Sequence, residues 1–156
     1  MTEAEEWSQA FAVQAWADWQ AYSVLSRTEG LPPCQSLHFL QMTCEKLCKA
    51  YEYRSGTYSG RTAASHVVIA HNLPLIFRVY YSETFGKRLS RYSPILDKLR
   101  GLAREIELLA PASDAGARRP DNCEYPWRIV REWWLFLRCM TFQWQISLIL
   151  LPGERC

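Results

Sequence analysis

Leu37-His38-Phe39-Leu40-Gln41-Met42-Thr43-Cys44-Glu45-Lys46-Leu47-Cys48-Lys49-Ala50-Tyr51 is the stretch whose reading decides the fold. Leu37, Leu40, Cys44, Leu47 and Tyr51 recur at steps of three and four, and Cys48 widens the stripe. That period belongs to a helix burying one side. Pro32 and Pro33 stand just ahead of it, where a missing N–H costs nothing. The other side carries Gln41, Glu45, Lys46, Lys49 and Glu52 and is expected to face solvent. Glu45 and Lys49 have the spacing of an intrahelical ion pair. His38 sits at the edge of the stripe.

The flanking chain repeats the pattern. Thr2 and Glu5 have capping-box spacing, and Trp7, Phe11, Ala15, Trp19, Tyr22 and Leu25 then give a first helix its apolar stripe. Gly30, Pro32 and Pro33 end that helix. Residues 54–60 read as a polar loop, followed by a short helix over 62–70. Asn72 is expected to cap a third main helix, with Pro74 in its first turn and Leu73, Ile76, Phe77 and Tyr80 on its apolar side. His71, just before that cap, is expected to be buried and to hydrogen-bond the turn. Gly86 interrupts. Ser93-Pro94 opens a fourth helix marked by Leu96, Leu99, Ala103, Ile106 and Leu109 and stopped by Pro111.

Helices joined by short connections favour antiparallel neighbours. The expected fold is therefore all-α, an up-and-down helical bundle of four to five helices over residues 1–110. Residues 111–123 lack periodicity and read as a linker. Residues 124–156 form an aromatic-rich C-terminal extension. Within it, residues 133–151 are long enough to span a bilayer, yet Arg138, Gln143 and Gln145 interrupt the run. An arginine near a bilayer centre costs at least roughly 2.5 kcal/mol. A docked tail is the expected reading, with membrane contact as the alternative.

The net charge of +2 conceals an uneven distribution. Residues 1–30 hold five acids and one base, whereas residues 54–104 hold nine bases against Glu83 and Asp97. Two readings of the basic stretch stand side by side: it attracts phosphate, or it pairs with the acidic first helix. The six cysteines include no Cys-x-x-Cys pair, and the acidic N-terminus lacks the marks of a secretory signal. Reduced, buried thiols in a cytoplasmic protein are expected, with no metal and no cofactor.

The quoted helix resembles the signature helix of the HEPN superfamily, Leu-Gln-x-x-x-Glu-Lys-x-x-Lys-Ala. His71-Asn72-Leu73-Pro74 resembles the turn opening the next bundle helix in many members, and Cys123-Glu124-Tyr125-Pro126-Trp127 resembles a segment of a bacterial HEPN-like subgroup. The resemblance covers roughly residues 5–127. It implies a four- or five-helix bundle that dimerises. Many members are metal-independent ribonucleases of toxin–antitoxin or other defence systems and use an Arg-x(4–6)-His motif; others are non-catalytic and bind RNA, nucleotides or a nucleotidyltransferase partner.

Arg61 and His66 have that spacing. An imidazole titrating near neutrality can move the 2′-hydroxyl proton of RNA, and a guanidinium can hold the phosphate. In nuclease members the motif lies near the last bundle helix; here it precedes the third main helix. A second candidate surface interleaves bases with aromatics. Arg78, Lys87, Arg88, Arg91, Tyr92, Lys98 and Arg100 would track RNA, with rings stacking on unpaired bases. The simpler alternative is a helix end whose aromatics belong to the core.

The favoured expectation is a non-catalytic HEPN-like helical module that binds a second copy or a partner, an antitoxin or nucleotidyltransferase among them, in a bacterial defence context. The alternative is a metal-independent ribonuclease using Arg61 and His66.

Overall fold

The computed structural model describes residues 1–31, 33–58, 68–86 and 92–110. They form four helices: α1 (Glu3–Leu25), α2 (Pro33–Ser55), α3 (Ile69–Phe85) and α4 (Ser93–Glu107). The fold is an all-α bundle, and among the described residues there is no strand. The short helix expected over 62–70 falls mostly outside the described residues; Ile69 and Ala70 open α3. The linker and the aromatic extension also lie outside them.

α1 starts as the sequence dictates. The Thr2 hydroxyl accepts from the Glu5 N–H at 3.3 Å, and the Glu5 carboxylate accepts from the Thr2 N–H at 2.7 Å. The backbone bond holds the Glu5 carboxyl below its ordinary pKa. α1 then runs antiparallel along α2. Ser8, Ala12, Ala15 and Tyr22 are buried, so small side chains floor most of this contact. The Ser8 hydroxyl donates to the Ala50 carbonyl at 2.9 Å, a bond that small residues permit by bringing the backbones close. The inner side of α1 thus differs from the expected stripe at its start, where Trp7 is turned out and 47 % exposed.

α3 and α4 make a second antiparallel hairpin. α3 starts at Ile69, three residues ahead of the expected cap. Val68 occupies the N-cap position, and its carbonyl accepts from the Asn72 N–H at 3.0 Å. Asn72 therefore lies inside the first turn with its side chain buried, whereas His71 is exposed. Both expectations for this turn are corrected for one reason: the helix begins a turn earlier and rotates Asn72 inward. Gly86 closes α3 at φ 69°, a left-handed conformation that glycine adopts without strain. In α4 the cap lies at Tyr92, one residue before the serine expected there.

α2 packs against α1 on one side and against α3 and α4 on the other. Leu40, Cys44, Leu47 and Cys48 meet Ile69, Leu73, Ile76 and Phe77 of α3 and Leu96, Leu99, Leu102, Ala103 and Ile106 of α4 in one core. The stripes that decided the fold are thus the ones that fill it. Leu99 is fully buried. Leu99→Ala is expected to cost about 2–5 kcal/mol of unfolding free energy, measured by urea denaturation, since a shortened side chain leaves a cavity that surrounding helices only partly close.

Candidate functional site

The expected solvent face of α2 is buried. Gln41, Glu45, Lys49 and Glu52 have exposures of 2, 3, 8 and 6 %. The reason is that α2 has neighbours on both sides, so its polar side pairs inward. Gln41 Nε2 donates to Glu45 Oε2 at 2.9 Å, and Lys49 Nζ donates to Glu45 Oε1 at 2.7 Å. The pair predicted from the i,i+4 spacing forms, but inside the protein. Lys46, beside this seam, bonds Asp18 of α1 at 2.6 Å. Among the described residues this is the ion pair of the acidic first helix, and its cation comes from α2.

One turn further, Glu52 Oε1 accepts from Asn72 Nδ2 at 2.7 Å, whereas Glu52 Oε2 is buried without a hydrogen-bond partner. Glu107 Oε2 accepts from the Ala70 N–H at 2.9 Å, tying the end of α4 to the start of α3. Cys44 and Cys48 lie against the same seam. Burial pushes the Cys44 thiol up to about 12. Burial, reinforced by Cys44 and the Glu52, Glu107 and Glu45 carboxylates, raises Cys48 well above its ordinary value. Both thiols are free, as expected, and neither is a nucleophile at neutral pH. Among the described residues no His, Cys, Asp or Glu cluster can hold a metal ion. No helix there is long and apolar enough to cross a membrane.

Of the expected site residues, Arg61, His66, Lys87, Arg88 and Arg91 lie outside the described residues. Tyr92 stacks on Tyr81 at 4.8 Å between centroids, with planes 12° apart, and meets Phe85 at 5.1 Å. Its ring joins the end of α3 to the start of α4. Arg78 and Lys98 are exposed, on α3 and α4 respectively. Arg100 is exposed too and pairs with Asp97 one turn back. His38 is exposed against the edge of Phe39, at 5.6 Å.

Two features escaped the sequence reading. The first is the outer side of α1. Glu6, Gln9, Val13, Ala17, Gln20, Val24 and Arg27 follow one another at helical steps on one side, bordered by half-buried Trp16, which packs against the core. Val13 is 53 % and Val24 65 % exposed. From Trp7 to Ser26 Asp18 is the sole charge, and it is turned to Lys46. The legible signal is this missing charge. The second is a ring stack where α1 begins and α2 ends. Tyr53 stacks on Trp7 at 6.1 Å, on Phe11 at 5.7 Å and on Tyr58 at 3.9 Å. Tyr58 read as part of a polar loop, and nothing in its spacing announced the stack.

Removing the Lys49 ammonium leaves the Glu45 carboxylate buried without its cation. Lys49→Met is expected to cost about 3–5 kcal/mol by denaturant titration, and Glu45→Leu in the same chain to recover most of it. Brief alkylation at pH 8 followed by peptide mapping is expected to modify half-buried Cys34 well before Cys44 and Cys48; equal labelling would mean that the core of α2 opens readily. The chain matches no protein-family model, no curated protein and no solved structure.

Proposed function

We propose that this protein is a non-catalytic helical interaction module whose α1 binds a second copy of itself. The observation that carries this reading is the outer side of α1, apolar or uncharged from Gln9 to Val24 and unoccupied by any other helix described. A helix bearing a single bundle contact ordinarily keeps charges on its other side, and a helix apolar on both sides is ordinarily buried. Depletion of charge is also what distinguishes interface cores from other surface.

Charge selects the partner and its direction. The stripe is bounded by Glu6 at one end and Arg27 at the other, both exposed and neither in an ion pair. An antiparallel pairing of two α1 helices about a two-fold axis brings each Glu6 to the other copy's Arg27. It opposes Val13 to Gln20 and Gln9 to Val24, with small Ala17 near the centre. A parallel pairing would set Glu3, Glu5 and Glu6 against their own copies. Such self-complementarity is what an isologous contact requires. The HEPN resemblance of residues 37–51 implies a dimer independently.

Light scattering across a concentration series is expected to give a dimer for the full chain and a monomer of unchanged helicity for Val13→Glu/Val24→Glu, since neither valine supports the core. Arg27→Glu is expected to weaken association and Glu6→Arg in the same chain to restore it. A monodisperse monomer at high protein concentration would overturn the reading.

A further inference from the structure

The ring stack at the open end of the α1–α2 hairpin has a chemistry of its own. Tyr53 is its hub, with its plane within 24° of those of Trp7, Phe11 and Tyr58. Trp7, 47 % exposed, is the most open of these rings. The stack already holds one cation: Lys49 Nζ lies over the Phe11 ring, 6.0 Å from its centroid. That ammonium is fixed by Glu45 and is unavailable to any ligand.

Glu3 stands one helical turn before Trp7, on the same side of α1. It is exposed and has no ion-pair partner, whereas Glu5 is occupied with the Thr2 N–H. Burial, then the Tyr58 hydrogen bond and charge and lastly the Glu3 carboxylate push the Tyr53 phenol up to about 12. An exposed indole and a carboxylate one turn before it thus share one side of α1, with the Tyr53 ring against the indole. A planar cation satisfies both at once, stacking on the ring while donating to the carboxylate.

We propose that Trp7 and Glu3, backed by Tyr53, form a binding site for an arginine side chain presented by a partner polypeptide. A guanidinium fits better than an ammonium because its flat face covers the indole while its edge still carries N–H donors. The site is separate from the dimer stripe: Trp7 lies about a third of a turn around α1 from Val13, on the side toward α2.

The test uses the full chain carrying Val13→Glu/Val24→Glu, so that self-association does not enter the readout. The Trp7 indole N–H resonance, assigned by its loss in Trp7→Phe, is followed while Nα-acetyl-arginine amide or Nα-acetyl-lysine amide is added. Arginine amide is expected to shift it in a saturable, salt-sensitive manner, and lysine amide to need several-fold higher concentration. Glu3→Gln, at an exposed position that leaves the fold intact, is expected to weaken arginine amide binding several-fold with helicity unchanged. No saturable shift, an equal response to lysine amide, or indifference to Glu3→Gln overturns the proposal. Each of these outcomes is independent of whether the unsubstituted chain dimerises.

Discussion

The whole bundle depends on the enclosure of the middle of α2. There its apolar residues meet α3 and α4, and Gln41, Glu45, Lys49 and Glu52 are buried as well. A carboxylate and an ammonium in such a place are tolerable only when each satisfies the other, and the Glu45–Lys49 bond at 2.7 Å does this with Gln41 as a further donor. Because both partners sit on one helix a turn apart, the pair is assembled as α2 itself forms. The surrounding helices need only fit around it. Breaking either half of such a pair leaves the other charge buried without its partner.

That constraint explains which parts of the fold were legible in the sequence. Leu40, Cys44 and Leu47, Leu73, Ile76 and Phe77, and the α4 series from Leu96 to Ile106 follow helical spacing, and all are buried. Thr2 with Glu5 marked the start of α1 correctly because a capping box is local chemistry. Gln41, Glu45, Lys49 and Glu52 misled because polarity reads as exposure until a second layer of helices covers it. Asn72 misled in a related way. Its side chain suits a cap, but a buried carboxylate twenty residues earlier in the chain holds it at 2.7 Å. Information of that kind is tertiary and has no periodic trace.

The candidate sites divide along the same line. A guanidinium and an imidazole at a given spacing, such as Arg61 and His66, can be read from residue type, but whether they converge is a matter of geometry. The bases of the α3–α4 hairpin were legible as charge, whereas the engagement of Tyr92 with Tyr81 and Phe85 was not. The outer side of α1 was readable in principle. It is a run in which Asp18 alone is charged, and that residue is claimed by Lys46.

The single Asn72–Glu52 bond has a consequence for how the chain assembles. α1 with α2, and α3 with α4, are neighbours in sequence, so each hairpin closes over a short loop and the contact order is low. Joining the two hairpins is another matter. It strips water from the Glu52 carboxylate while offering it one donor, Asn72 Nδ2, and leaves Oε2 unanswered. Closing the two hairpins on each other therefore carries a desolvation cost at Glu52, set against the apolar core that the same contact buries.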